Sequence, residues 1–271
     1  MEINKIYNEN CLETMAKMPD NFIDLTVTSP PYDDLRFYNG YSFDFENVAK
    51  ELFRVTKQGG LVVWIVGDAT KNGSESGTSF RQALYFKEIG FNLHDTMIWN
   101  KPNAPLSHNR YEQQFEYMFV FSKGKPKTWN GIKDKKNKHF GEKVGGTKRD
   151  VKSGILRKSS GIKKGKTIQE FGLRGNIWYI PNRDKIKVHP AIFPEQLAND
   201  HIISWSNEND LVYDPFMGSG TTAKMAILNN RKYIGSEISE DYCKIIETRI
   251  KECGGLFFNS FQTELSNEAG T

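Results

Sequence analysis

Short apolar runs alternate with amphipathic stretches along most of this chain, and that alternation leaves few solutions besides a sheet with helices packed on its faces. Ile23 to Val27 and Leu61 to Val66 read as buried strands, with further strands near Asn92 to Trp99 and Tyr117 to Phe121. Helices are expected from Asn10 to Met18, where Leu12, Met15 and Met18 share a face, and near Phe80 to Ile89. Further along, Pro194 to Trp205 reads as a helix, Leu211 to Tyr213 and Lys232 to Gly235 as strands, and Glu240 to Glu252 as a final helix. The fold class is therefore α/β. With 271 residues, 38% hydrophobic and 13% aromatic, the chain has enough apolar material for one sizeable core plus an appended region.

Charge marks out that region. From Lys123 to Lys187 there are 20 of the 37 Lys and Arg residues against five acids, a local balance of +15; the remainder stands at −11. Apolar residues there are too sparse for a core of their own, so the stretch reads as an insertion on the α/β scaffold. Such segregation fits a polyanion binder, since each cation near a phosphate releases a condensed counterion; a solvated basic loop fits the same charges. No apolar run approaches the ~20 residues of a bilayer span, and the first residues lack the apolar stretch of a secretion signal, so a cytoplasmic protein without a membrane partner is expected. Cys11, Cys243 and Cys253 are scattered, which suggests neither a disulfide framework nor a metal site.

Two turns carry candidate chemistry. Asp214-Pro215-Phe216-Met217-Gly218-Ser219-Gly220-Thr221-Thr222 follows a strand and opens a helix, and its glycines let backbone amides approach a ligand. Glu237, at the end of the next strand, stands where an acid takes ribose hydroxyls. A phosphate loop would need Lys after the last glycine, whereas Thr221 is there, so an uncharged or zwitterionic nucleoside ligand is the better reading. Thr28-Ser29-Pro30-Pro31-Tyr32 is the other turn. The lone pair of a planar amino group is delocalised, and two acceptors on its hydrogens would free it for attack. Ser29 Oγ and the Pro30 carbonyl, stiffened by consecutive prolines, can be those acceptors, and Tyr32 offers a face for an extruded base. A plain proline turn with Tyr32 packed fits the same residues.

Taken together, the turns resemble the permuted, β-class DNA amino-methyltransferases, in which the catalytic motif precedes the cofactor motif. Thr28 to Tyr32, then His189-Pro190-Ala191-Ile192-Phe193-Pro194, then Asp214 to Thr222 match in that class's order, over residues 8 to 122 and 188 to 252. The resemblance implies a Rossmann-like S-adenosylmethionine-dependent methyltransferase fold, a mixed, mostly parallel sheet with helices on both faces and an inserted target-recognition region. It divides the chain into a catalytic half (1–122), a basic target-recognition insertion (123–187), a cofactor half (188–255) and a tail (256–271). Ser29, Pro30, Pro31 and Tyr32 would be catalytic. S-adenosylmethionine would be held by Thr28, Asp214, Pro215, Phe216, Gly218, Ser219, Gly220 and Thr221, with Glu237 on the ribose, Asn10 and Cys11 at the adenine, and His189, Pro190 and Phe193 closing the pocket. The expected substrate is double-stranded DNA. Ser29 before the prolines resembles the cytosine-N4 enzymes more than the adenine-N6 ones. The resemblance also admits a homodimer and a companion restriction endonuclease; an RNA or protein-glutamine amino-methyltransferase, or a non-catalytic nucleic-acid-binding relative, are the alternatives.

Overall fold

Strands that are apolar at every position need cover on both faces, and this sheet has it. The computed structural model describes residues 1–31, 43–101, 110–158, 165–181 and 194–253; Tyr32, His189, Pro190 and Phe193 lie outside the described residues. The chain divides into two units, residues 131–175 and the remainder.

The larger unit runs β1 (Lys5–Tyr7), α1 (Cys11–Ala16), β2 (Ile23–Thr28), α2 (Phe45–Val55), β3 (Thr56–Val66), β4 (Thr70–Lys71), β5 (Ser74–Glu75), α3 (Thr78–Glu88), β6 (Asn92–Asn100) and β7 (Phe115–Ser122). After the smaller unit, whose strands are β8 to β11, come β12 (Ile177–Tyr179), α4 (Glu195–Trp205), β13 (Leu211–Asp214), α5 (Thr221–Leu228), β14 (Lys232–Ser236) and a helix over 240–253, α6. Eight strands form one sheet in the order β1-β14-β13-β2-β3-β7-β6-β12. Only β7 runs antiparallel to its neighbours β3 and β6, so the sheet is mixed and mostly parallel. Connections from β13 lead outward to β14, and those from β2 lead the other way to β3. The β13–β2 junction is therefore the topological switch point, where open α/β sheets leave a crevice at their carboxyl edge.

Alternation along β3 divides the core between the two faces. Leu61, Val63 and Ile65 pack with Val120, Leu197, Ile202 and Ala226 under α4 and α5. Val62, Trp64 and Val66 pack with Met15, Leu52, Phe86 and Phe121 under α1, α2 and α3. Each of these large side chains contributes roughly 1.5–3 kcal/mol on burial.

Most elements fall where the apolar runs place them, but α2 lies in a stretch to which the sequence reading assigns nothing. Its buried residues Val48, Ala49, Leu52 and Val55 recur at helical spacing among charges, and the Asp44 side chain accepts from the Asn47 amide at its start. It runs directly into β3, which begins earlier than Leu61; the register shifts between Ile23↔Thr56 and Leu25↔Leu61, and this bulge takes up Gln58, Gly59 and Gly60.

The smaller unit is narrower than the charge distribution suggests. Trp129 packs on Trp205 with ring centroids 4.6 Å apart, and Asn130 donates its amide to the Ser204 carbonyl at 2.9 Å, so both belong to the larger unit. On the other side Trp178 is buried and β12 pairs with β6. Within residues 131–175, β8 (Lys133–Lys136) pairs with β11 (Phe171–Leu173), and β9 (Thr147–Arg149) with β10 (Leu156–Lys158), all antiparallel. None of the hydrophobic residues described there is buried, consistent with the sparse apolar content.

Candidate active site

Both candidate turns leave the carboxyl ends of adjoining parallel strands. Tyr213 lies opposite Thr26, so β2 and β13 emit Ser29-Pro30-Pro31 and Pro215 to Gly220 at the same edge. A buried polar knot ties them. Thr28 Oγ1 donates to Asp214 Oδ1 at 2.6 Å, the Phe216 amide donates to the same oxygen at 3.0 Å, and Thr222 Oγ1 donates to Asp214 Oδ2 at 2.7 Å. Asp214 is wholly buried, and the loss of hydration pushes its carboxyl up to about 6 against the opposing pull of these donors. Its carboxylate is thus a brace between the catalytic strand and the glycine turn. Ser29 is half-buried and Pro30 buried.

The glycine turn is shaped by two left-handed residues, Gly218 at φ +54° and Gly220 at φ +84°. Gly220 also caps α5, where no side chain takes the cap role. Glu237 holds the turn from the neighbouring strand: Oε2 accepts the Gly218 amide and Oε1 the Ser239 amide, each at 2.8 Å. Burial raises its carboxyl above the ordinary value, offset in part by those amides. Phe216 stands edge-on to Phe43 at 5.3 Å and to Trp64 at 6.4 Å, which packs the turn onto the buried aromatic cluster.

Asn10 and Cys11 begin α1. The Asn10 side chain accepts the Leu12 amide as the helix cap, and burial pushes the Cys11 thiol up to about 12, which leaves it unreactive as a nucleophile. Asp68, past the end of β3, accepts from the Ser79 amide at 2.9 Å and from the Ser79 hydroxyl, so it anchors the start of α3. A residue that sequence reasoning passes over is Arg249 of α6, which donates to Ser219 of the glycine turn; a lone Arg on an amphipathic helix carries no sequence signal.

A mostly parallel α/β sheet with a glycine turn and a Ser-Pro-Pro turn meeting at its switch point defines a Rossmann-like methyltransferase fold. The chain belongs to the DNA methylase family N6_N4_Mtase, whose model matches residues 23–248. It is 63% identical over 244 residues to the orphan methyltransferase M.BamHII of Bacillus amyloliquefaciens, covering 86% of this chain and 90% of that protein. Among solved structures, the PvuII DNA methyltransferase (cytosine-N4-specific) superposes with a TM-score of 0.68 at 22% identity, covering 92% of this chain and 86% of that one. The M1.HpyAVI–SAM complex superposes with a TM-score of 0.60 at 22% identity, covering 90% and 98%.

Proposed function

We propose that this DNA methyltransferase transfers a methyl group from S-adenosylmethionine to the exocyclic amino nitrogen of a base turned out of duplex DNA, and that the nitrogen is N4 of cytosine. The Thr28–Asp214 hydrogen bond carries the reading, because it holds the acceptors of the Ser-Pro-Pro turn against the cofactor turn. Neither turn alone requires a methyltransferase; their junction does the discriminating.

The residues present fit the cofactor. Glu237 uses one lone pair on each carboxylate oxygen for a backbone amide and keeps others for ribose hydroxyls. Gly218, Ser219, Gly220 and Thr221 form the turn that would receive the amino-acid end, with Pro215 and Phe216 beside it; Asn10 and Cys11 would meet the adenine, and His189, Pro190 and Phe193, by the family resemblance, are assigned to closing the pocket. When bound, S-adenosylmethionine supplies a methyl group made electrophilic by positive sulfur. Ser29 Oγ and the Pro30 carbonyl accept hydrogen bonds from the amino group and draw its nitrogen toward tetrahedral geometry, so its lone pair becomes available. Tyr32 stacks on the extruded base, an interaction worth roughly 1–3 kcal/mol. The amine's surplus proton leaves to solvent. Ser29 in the position before the two prolines supports cytosine over adenine.

The basic unit of residues 131–175 is assigned to the DNA backbone and base edges, on the strength of its excess of cations. The test is to incubate the protein with unmethylated mixed-sequence duplex and labelled S-adenosylmethionine, digest to nucleosides and identify the product by mass. N4-methylcytosine is expected. N6-methyladenine would overturn the choice of base while leaving the amino-transfer reading intact, and label found only in RNA or protein would overturn the DNA substrate.

A further inference from the structure

The helix α6 grips the glycine turn through two residues three apart, which places them on one face. Ile246 is fully buried, and its Cγ2 would lie 2.9 Å from a Cβ built on Gly220, so the helix packs onto bare backbone there. Arg249, 8% exposed, donates from Nη1 to the Ser219 carbonyl at 2.6 Å and to Ser219 Oγ at 3.0 Å. Its Nη2 donates to Glu195 Oε1 at 2.7 Å, and the same oxygen accepts Lys224 Nζ at 2.6 Å. One guanidinium therefore joins the glycine turn to the first residue of α4 and, through Glu195, to α5. The fork geometry of Arg suits it to such a three-way junction. Because Arg249 donates to Ser219 Oγ, that hydroxyl's own hydrogen remains to be donated elsewhere. Arg249 and Lys224 together outweigh Glu195 by one positive charge directly behind the turn.

We propose that Arg249 is a positioning residue for the cofactor: it fixes Ser219 and the backbone of the glycine turn in the geometry that receives the amino-acid end of S-adenosylmethionine. The inference rests on the cofactor reading above. Arg249 acts through Ser219 of the glycine turn, so its effect falls on cofactor affinity and not on the transfer step.

The test compares the wild type, Arg249→Ala, Arg249→Lys, Ser219→Ala and the Ser219→Ala/Arg249→Ala double variant. S-adenosylhomocysteine affinity is measured by calorimetry, KM for S-adenosylmethionine and kcat on duplex DNA by methyl transfer, and Tm for each variant. Arg249→Ala is expected to weaken S-adenosylhomocysteine binding at least tenfold and raise KM in parallel, with kcat at saturating cofactor within threefold of wild type. Arg249→Lys should recover part of the affinity, and the double variant should lose less than the sum of the two single losses, since one of Arg249's bonds is to the Ser219 hydroxyl. Wild-type affinity and KM in the arginine variants overturn the proposal, as does a fall in kcat at unchanged KM. If Arg249→Ala does not fold, Arg249→Lys decides: weakened binding at wild-type Tm supports the role, and wild-type binding refutes it. A wild-type protein that binds no S-adenosylhomocysteine overturns the cofactor reading itself, and this inference with it.

Discussion

Thr28 and Asp214 stand 186 residues apart in the chain and share a 2.6 Å hydrogen bond between buried side chains at the carboxyl ends of adjoining strands. The bond is charge-assisted when Asp214 is ionised, and no water competes for it. Thr28→Val keeps the shape and removes the donor. It is expected to destabilise the protein by about 2 kcal/mol, the usual cost of losing a hydrogen bond to a charged group. Urea denaturation at pH 7.5 measures it, and an unchanged midpoint would show that this bond does not brace the two turns.

Burial gives Asp214 a pH signature. Its folded value of about 6 lies above the ordinary 3.8, so the folded state holds the proton more tightly. The group's contribution to stability is fully present below 3.8 and is lost as pH rises through 6. Asp214→Asn removes the titration; its amide can donate to Thr222 Oγ1, whose hydroxyl then turns to the Val27 carbonyl, 3.3 Å away. Between pH 4 and pH 7 the wild type should lose about 2 kcal/mol relative to this variant, most of the total linkage at 1.36 kcal/mol per unit. Denaturation curves for both proteins across that range would contradict the assignment if their difference stayed flat.

Gly220 combines a left-handed backbone with a crowded approach. A side chain there meets a φ of +84° and the branched end of Ile246, with Cγ2 at 2.9 Å and Cγ1 at 3.1 Å. Gly220→Ala should cost about 2 kcal/mol or more, from backbone strain and overpacking together. Adding Ile246→Ala relieves only the second part. A double-mutant cycle should therefore give less than additive loss, whereas strict additivity would mean that α6 does not press on the turn.

Arg149 and Lys152 are exposed in the basic unit, on β9 and in the turn after it. If they meet DNA phosphates, replacing both with Ala reduces the slope of log affinity against log salt by about 1 for each phosphate left without its cation. Neither residue is among those assigned to the cofactor, so S-adenosylhomocysteine affinity is expected to be unchanged. Binding measured at several salt concentrations checks the first expectation, and an unaltered slope would remove this ribbon from the interface.

The two turns of the candidate site were legible in the sequence because their backbone constraints are local. Consecutive prolines stiffen whatever turn they occupy, and Gly218 and Gly220 mark backbone that other residues resist; such constraints act between neighbours in the chain. The same holds for the apolar runs of β2, β3 and β13, where burial on two faces concentrates Leu, Ile, Val and aromatic residues in short stretches. Helix α2 was less legible, since its four buried residues are spread among charged ones and no long apolar run announces them.

What the sequence by itself determined, then, is the identity and order of the two turns and the α/β class that carries them. Only the tertiary structure decided that Thr28 meets Asp214, that Glu237 holds the Gly218 amide and that Arg249 closes on Ser219. The physical reason is that sheet order, and not chain order, makes neighbours. Placing β13 between β14 and β2 brings together groups far apart in the sequence, and the burial that follows raises the proton affinity of Asp214.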